Sequence, residues 1–311
     1  MTAPTFTVIV PTCNRLEKLQ RALSSVAQQT FLDYEVIVVD DGSMDGTGKF
    51  IASMKQAGKF PGIPSLHVIS NKNGKGAGLA RNQALAKARG KLIAFLDDDD
   101  VWMPGYLQLQ ATRLQQHPGA GASVAAHIEF DQTGHEHLPD LVPLFEYQEQ
   151  IIHLLTESFV HTMSVLVARR SVFEEIGVLN PGLRVCHDWD WCIRLLSAGH
   201  GILPPTGDAM VRREIPGGLV LQLRKWFQEE QSILKEVFQR DATAKAHRRH
   251  VQAYRNLLFA RIAISRGEFG FAFSRLGHAL GYAPFYSIKL ARLKWARSRQ
   301  AGKFHESQRS R

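Results

Sequence analysis

The sequence predicts an α/β protein with a mostly parallel central sheet and a helical extension at its C-terminal end. Short runs rich in valine and isoleucine alternate with amphipathic segments four times within residues 1–100. Polar clusters directly follow several of these runs, and from about residue 219 the pattern becomes purely helical. Alternation of strand and helix is typical of a parallel sheet with right-handed crossovers.

The first predicted strand is Phe6–Val10, a β-rich apolar run that ends before a Pro-Thr pair. Leucine and valine side chains then recur at helical spacing, which predicts a helix from about Arg15 to Gln29. The next run, Tyr34–Val39, is almost continuously apolar. Such a run is expected of a parallel strand that is buried on both faces.

The same alternation continues as far as residue 100. A helix is predicted around Gly46–Gln56, a strand over Leu66–Ile69 and a further helix over Gly78–Ala88. A fourth strand, Leu92–Leu96, runs directly into four aspartates, Asp97–Asp100. Ligands of parallel sheets bind beyond the carboxyl ends of the strands, so we expect the polar residues that follow these strands to form one site.

The pattern of strand and helix weakens after residue 100. Two further strands are predicted, over Ala122–Phe130 and Met163–Ala168. The remaining predicted elements are helices, over Gln148–Thr156, Ser171–Ile176, Leu219–Gln239, Ala242–Arg266 and Phe269–Leu280.

The formal net charge of +9 is an average of two unlike regions. Residues 1–218 carry 19 basic and 23 acidic side chains, a net of −4. Residues 219–311 carry 19 basic and 6 acidic side chains, a net of +13. We therefore predict two domains, 1–218 and 219–311, with different partners.

The composition excludes several classes of protein. Hydrophobic residues make up 44% and charged residues 22%, which is ordinary for a globular protein and excludes a disordered or collagen-like chain. The chain has only 3 cysteines, an odd number that argues against a secreted protein stapled by disulfides. We see neither a signal peptide nor an apolar run of ~18 residues. These features predict a cytoplasmic protein, with peripheral association at the inner face of the membrane left open.

The run Asp97–Asp100 is the strongest chemical signal in the sequence. Adjacent carboxylates repel one another unless a cation or solvent offsets their charge. Mg²⁺ or Mn²⁺ is commonly shared between one or two carboxylates and the phosphates of a substrate. The alternative is an acidic loop that caps the following helix, and for an isolated run of aspartates this alternative is favoured.

Four motifs, taken in their order along the chain, favour the metal-binding interpretation of these aspartates over the capping loop. They are Pro-Thr-Cys-Asn-Arg at 11–15, Val-Asp-Asp-Gly-Ser at 39–43, Gly-Leu-Ala-Arg-Asn at 78–82 and Phe-Leu-Asp-Asp-Asp-Asp-Val-Trp at 95–102. This series resembles the family 2 glycosyltransferases, which have the Rossmann-like GT-A fold. The resemblance covers residues 5–217, and the ordered combination is far more specific than any one motif.

The resemblance implies roles for individual residues. Asp41 matches the residue that binds the nucleotide base, although an Asp-Gly pair also favours a turn in which the aspartate bonds its own backbone. Asp97 and Asp99 match the ends of the family's DxD motif, which binds ribose and the diphosphate-bound metal, Mg²⁺ or Mn²⁺. The residues implied to contact the nucleotide sugar are Pro11, Thr12, Arg15, Asp41, Arg81, Asp97 and Asp98.

The segment Cys186–Arg194 resembles the family's Glu-Asp motif, whose second residue is the catalytic base. Asp188 takes that place, and the alternative is that Asp188 or Asp190 caps the helix. Two residues depart from the family's pattern. His187 stands where the family usually has Glu, and Glu214 stands where many members have His. These departures put metal dependence and donor geometry in doubt, and Arg212 and Arg213 remain as candidate partners for the diphosphate.

The resemblance implies an inverting transferase that moves a sugar from a nucleotide sugar, with UDP expected, to a hydroxyl of a saccharide or lipid-linked acceptor. An inactive sugar-nucleotide-binding scaffold and a sugar-phosphate nucleotidyltransferase are the alternatives. The basic region 219–311 fits either a solvated tail or docking on an anionic membrane surface. No nucleic-acid partner is expected, because the sequence contains no nucleic-acid-binding motif.

Overall fold

In the computed structural model the described residues are 3–57, 60–130, 136–137, 147–156, 159–205, 207, 210–214 and 222–283. The chain divides into two compact units, Met1–Leu221 and Gln222–Arg311. The division predicted from charge lies at residue 218. We describe each unit by itself.

A seven-stranded sheet, in the order β10-β6-β9-β4-β1-β2-β3, forms the centre of the first unit. The strands of this sheet are β1 (Phe6–Thr12), β2 (Tyr34–Asp40), β3 (Leu66–Ser70), β4 (Leu92–Phe95), β6 (Ala120–Val124), β9 (Leu166–Arg169) and β10 (Gly201–Leu203). Strands β1 to β4 are parallel, whereas β9 runs antiparallel between β4 and β6. The predicted mixed α/β fold with a mostly parallel sheet is therefore confirmed.

Helices connect the parallel strands of this sheet. Those between β1 and β4 are α1 (Leu16–Ala27), α2 (Gly46–Ala57) and α3 (Ala77–Leu85). The first unit also contains α4 (Tyr106–Gln116), α5 (Tyr147–Thr156), α6 (Arg170–Ile176) and α7 (His187–Ser197). All seven residues of β1 and all seven of β2 are buried, which explains their nearly continuous apolar sequence. The two strands pair in register from Phe6↔Tyr34 to Thr12↔Asp40, so their carboxyl ends lie side by side.

A second sheet of four strands has the order β5-β11-β7-β8. Its strands are β5 (Val101–Trp102), β7 (His127–Phe130), β8 (Glu136–His137) and β11 (Val211–Glu214). The single strand predicted over Ala122–Phe130 is wrong, because the chain leaves the first sheet after Val124 and enters the second at His127. The intervening Ala125 donates its backbone N–H to the carbonyl of Val165 at 2.9 Å. Only Ala125 and Ala126 separate β6 from β7, and neither is a turn-forming residue, so the sequence pattern does not reveal the break.

The strand predicted over Met163–Ala168 begins instead with a short 3₁₀ helix, Met163–Val165, and β9 follows it. The Oγ1 of Thr162 accepts a hydrogen bond from the backbone N–H of Ser164 at 3.2 Å and so caps this turn. The turn brings Thr162 and Ser164 next to the residues that follow β4, because β9 pairs with β4.

The second unit is helical, with α8 (Leu223–Arg240), α9 (Ala242–Ala246), α10 (Arg248–Ser265) and α11 (Phe269–Tyr282). The helix predicted over Ala242–Arg266 is thus two helices. Asp241 caps the first by accepting the N–H of Ala244 at 2.8 Å, and that helix ends before His247. In the part of the chain that the structure describes, no helix combines the length and apolarity needed to cross a membrane.

A buried ion pair joins α8 to α10. Glu230 and Arg255 are 1% and 4% exposed, and the Nε of Arg255 donates to the Oε2 of Glu230 at 2.8 Å. A second guanidinium N–H of Arg255 bonds the Oε1 of Glu230, so the pair is bidentate. Removing one partner would leave an uncompensated charge in the helical core.

We expect Glu230→Ala to lower the free energy of unfolding of the second unit by about 3–5 kcal/mol, because Arg255 would stay buried without its carboxylate. Glu236→Ala is the matched control on the same helix. Glu236 is 61% exposed and lies 3.8 Å from Arg240, so its loss should cost less than about 1 kcal/mol. Denaturant unfolding of the full chain, followed by circular dichroism, measures both changes. Equal effects of the two substitutions would contradict a structural role for the buried pair.

Candidate active site

The loops that follow β1 and β2 are hydrogen-bonded to each other. The backbone N–H of Asn14 donates to the Oγ of Ser43 at 2.9 Å, and the Oδ1 of Asn14 accepts the N–H of Met44 at 2.7 Å. Asn14 has a φ of +56°, a left-handed conformation that asparagine tolerates better than most residues. These contacts hold two of the predicted nucleotide-binding segments together at the carboxyl edge of the sheet.

Asp41 organises the loop at 71–76. Its Oδ1 accepts the side-chain N–H of Asn71 at 2.9 Å, and its Oδ2 accepts the backbone N–H groups of Lys75 at 2.8 Å and Gly76 at 2.7 Å. The turn bond that an Asp-Gly pair favours is made by the preceding residue, since Asp40 accepts the N–H of Ser43 at 3.0 Å. Asp41 therefore positions a loop, and its contact with a nucleotide base stays a prediction.

Asp98 points toward β1 rather than toward the other aspartates of the run. It accepts the hydroxyl of Thr12 at 2.7 Å and the guanidinium of Arg15 at 2.9 Å. Arg15 also donates to Asp99 at 2.7 Å, and the side chain of Arg15 remains 43% exposed. The buried Pro11 lies one residue earlier on β1. Three predicted nucleotide-sugar contacts, Thr12, Arg15 and Asp98, thus form one hydrogen-bonded group.

The other three aspartates converge. One carboxylate oxygen each from Asp97, Asp99 and Asp100 lies within 4.8 Å of the others. Burial raises the pKa of Asp100 to about 8, and the charge of Asp97 adds to the rise. Thr162 lies between two of them, with its Oγ1 3.0 Å from Asp97 and 3.2 Å from Asp100. Crowded carboxylates of this kind fit a hard divalent cation, which takes oxygen ligands and relieves their repulsion.

Arg81 connects this acidic cluster to α7. The guanidinium is 4% exposed, pairs with the Oδ1 of Asp97 and donates to the Nε2 of His187 at 2.8 Å. Burial acts to raise the pKa of Asp97, but the charge and hydrogen bond of Arg81 outweigh it and hold that pKa below its usual value. His187, the departure from the family pattern, therefore serves as a hydrogen-bond acceptor for Arg81.

Asp188 follows His187 in the first turn of α7. Its Oδ1 accepts the backbone N–H of Trp189 at 2.7 Å. Asp190 instead pairs with Arg194 at 3.0 Å within the helix, which is a structural contact. The indole N–H of Trp189 donates to the carbonyl of Leu154 at 2.8 Å, so the start of the helix is firmly anchored. These anchors fix the backbone that carries Asp188.

The second sheet brings further charged residues toward the aspartates. Arg213 on β11 donates to Glu129 on β7 at 2.5 Å, and the charge of Arg213 also acts on Asp100. The guanidinium of Arg212 lies over the ring of Phe130 at 5.3 Å. Glu214 belongs to β11, but its side chain lies outside the described residues.

The sequence does not indicate two residues of this site, Thr162 and Ser164, and it does not indicate that His187 accepts a hydrogen bond from Arg81. Ser164 accepts the backbone N–H of Asp97 at 2.9 Å, and its carbonyl accepts the indole N–H of Trp102 at 2.8 Å. Neither Thr162 nor Ser164 belongs to a recognisable motif, and they reach the site only through the pairing of β9 with β4. In the sequence, the position of His187 next to Asp188 is the one feature that indicates a place for His187 in the site.

The chain matches the family described as "Glycosyl transferase family 2" over residues 7–177. This match covers more than half of the chain, and the chain belongs to that family. The predicted membership is confirmed.

Similar proteins include the UDP-Glc:alpha-D-GlcNAc-diphosphoundecaprenol beta-1,3-glucosyltransferase WfgD of Escherichia coli, 34% identical over 107 residues that cover 34% of this chain and 40% of WfgD. The chain spans 40–66% of the length of three curated relatives that it matches.

Two solved structures share the fold. One is S. aureus TarS 1-349 in complex with UDP-GlcNAc, with a TM-score of 0.65 and 20% identity over 91% of this chain and 82% of TarS. The other is the mannosyltransferase PcManGT from Pyrobaculum calidifontis in complex with GDP-Man and Mn2+, with a TM-score of 0.63 and 19% identity over 94% of this chain and 80% of PcManGT. Likeness at this identity establishes the GT-A fold alone.

The raised pKa of Asp100 predicts that the metal-free protein loses stability as the pH rises. The unfolded carboxyl has a pKa of about 3.9, so between that pH and about 8 the unfolded chain holds fewer protons than the folded one. We expect the melting temperature of the chelator-treated protein to fall across this range. Asp100→Asn should flatten the fall, and the exposed Glu17→Gln should leave it unchanged. Equal pH slopes for wild type and Asp100→Asn would contradict the assignment.

Proposed function

We propose that this protein is an inverting, metal-assisted glycosyltransferase. It moves a sugar from a nucleotide-diphosphate sugar, with UDP as the expected nucleotide, to a hydroxyl of a saccharide or a lipid-linked acceptor. The observation that carries the proposal is the contact chain from Asp97 through Arg81 to His187, because it joins a cation-binding cluster to the helix that bears a candidate base. The complexes of TarS with UDP-GlcNAc and of PcManGT with GDP-Man support a nucleotide-sugar donor.

The proposed reaction is a single displacement. Asp188 removes the proton from the acceptor hydroxyl as that oxygen attacks the anomeric carbon. The bond between the anomeric carbon and the diphosphate oxygen breaks on the opposite face, so the configuration inverts and the nucleoside diphosphate leaves with the electron pair. Asp97, Asp99 and Asp100 would hold Mg²⁺ or Mn²⁺, which supplies electrostatic stabilisation for the departing diphosphate.

The remaining residues have positioning roles in this proposal. Thr12 and Arg15 orient Asp98 and Asp99 at the edge where the donor binds. Asp41 holds the 71–76 loop, which would flank the base. Arg81 keeps Asp97 ionised and in place, so that its carboxylate remains available as a ligand.

The acceptor and the location of the protein form the second part of the proposal. The name of WfgD describes an acceptor carried on diphosphoundecaprenol, and we propose a lipid-linked acceptor of this class here as well. The basic region 219–311 would dock the protein on an anionic membrane surface, where such acceptors are found.

Asp188→Asn tests the catalytic base. We expect transfer to fall by about 10²–10⁴-fold while nucleotide binding persists, because the amide cannot accept the hydroxyl proton. Asp190→Asn is the matched control two residues along the same helix, since Asp190 is engaged with Arg194, and it should retain most of the activity. Turnover with a radiolabelled UDP-sugar measures both variants. An Asp188→Asn enzyme with unchanged transfer would show that the mechanism is wrong.

Titration with UDP, GDP and dTDP, with and without Mn²⁺, tests the donor class and the metal together. We expect UDP to bind most tightly, with an affinity that rises in Mn²⁺. Asp99→Asn should abolish that rise because it removes one carboxylate of the cluster. Asp98→Asn is the control from the same run, since its carboxylate faces Thr12 and Arg15, and it should keep the Mn²⁺ dependence.

Two outcomes would contradict the proposal. Release of pyrophosphate from a nucleoside triphosphate and a sugar phosphate would identify a nucleotidyltransferase. Tight UDP binding without transfer or donor hydrolysis under any condition would identify a binding scaffold.

A further inference from the structure

Helix α11 of the second unit carries a stripe of apolar side chains, which we define as Phe269, Phe273, Leu276 and Leu280. Phe269 is 58% exposed, Phe273 71% and Leu280 46%, and Leu276 is half-buried. Their spacing of three and four residues sets all four on one face of the helix. Single exposed apolar residues are ordinary, but a continuous patch marks an interaction surface.

The stripe is not needed for the core of its own unit. Another face of α11 buries Ala272 in a cluster with Leu223, Phe259 and Ala263. Phe271 packs against the same cluster, and its ring contacts that of Phe227 edge to face at 5.6 Å. The helix is therefore held in place by residues outside the stripe.

The net charge of the helical unit and of the segment after it favours an anionic partner for the stripe. Residues 222–283 carry 11 basic and 5 acidic side chains, a net of +6. Residues 284–311, which follow α11 directly, carry 8 basic and 1 acidic, a net of +7. A second copy of the unit, or the chain's own 284–311 segment folded onto the stripe, would bring like charges together. An anionic surface is instead attracted by the net positive charge of this unit and of the segment that follows it.

The length of α11 decides how it would meet such a surface. It has 14 residues, or ~21 Å at 1.5 Å per residue, and a bilayer's hydrocarbon core is ~30 Å thick. A helix of this length lies in the interface, with its apolar side chains among the acyl chains. Phenylalanine and leucine side chains are suited to that position.

We propose that the Phe269–Leu280 stripe inserts into the headgroup boundary of an anionic bilayer, to which the net positive charge of residues 222–311 attracts the protein. This inference rests on the membrane docking proposed above and adds the side chains that perform it. It does not depend on the transfer reaction, because vesicle binding and transfer to a soluble acceptor are measured separately.

Sedimentation with vesicles tests the stripe in the full-length protein. Wild type should bind vesicles of phosphatidylcholine mixed with phosphatidylglycerol and should bind pure phosphatidylcholine vesicles weakly. Phe273→Gln/Leu280→Gln should weaken binding to the mixed vesicles by about tenfold or more per side chain. Leu32→Gln is the matched control, since Leu32 is 66% exposed in the first unit, and it should bind as wild type. Both variants change exposed residues, so their melting temperatures should be unchanged.

Vesicle binding at high salt distinguishes the electrostatic attraction from the apolar contact of the stripe. In 1 M salt the Debye length falls to about 3 Å, so the electrostatic attraction is screened and the binding that remains reports the apolar contact. Wild type should keep measurable binding under this condition, and the double variant should lose it.

Four results would overturn the inference. Equal vesicle binding by wild type and the double variant would show that the stripe does not insert and that the attachment is purely electrostatic. A wild-type dimer in light scattering that the double variant converts to a monomer would assign the stripe to a second copy. Protection of residues 284–311 from hydrogen exchange without lipid, lost in the double variant, would assign it to the chain's own tail. Failure of wild type to bind any vesicle would refute the docking proposal and leave the transfer reaction to be judged by Asp188→Asn.

Discussion

The buried guanidinium of Arg81 is the interaction on which the rest of the site depends. A cation that is 4% exposed needs a compensating carboxylate, and Asp97 supplies it. The other side of the same guanidinium bonds His187, at the start of α7. Arg81 therefore ties the loop after β4 to the helix that bears Asp188, and it keeps Asp97 ionised within a crowded acidic cluster.

The four consecutive aspartates do not act as one group. Asp98 turns toward Thr12 and Arg15, and the other three carboxylates converge around a point that fits a divalent cation. Burial raises the pKa of Asp100, and the charges of Asp97 and Asp99 add to the rise. A divalent cation at this point would offset the repulsion among the three carboxylates.

The two units handle charge in opposite ways. The first gathers carboxylates at one edge of its sheet and offsets them with a few buried or bridging arginines. The second buries one ion pair, Glu230 with Arg255, exposes an apolar stripe on α11 and belongs to a part of the sequence with a net positive charge. An excess of acidic groups around the proposed cation site suits the proposed work on a nucleotide diphosphate, whereas a net positive charge suits an anionic lipid surface.

The sequence by itself determined the parallel sheet, the positions of its first four strands along the chain and the run of aspartates, because apolar periodicity and turn residues are local properties of the chain. It did not reveal the break between β6 and β7, since the two alanines that separate these strands carry no turn signal. Only the tertiary structure decided which aspartates bring their carboxylate oxygens close together. It also decided that Thr162 and Ser164 bond Asp97 and that His187 bonds Arg81. These contacts link residues 16 to 106 positions apart through strand pairing and a buried arginine, and such distant neighbours leave no periodic signal in the sequence.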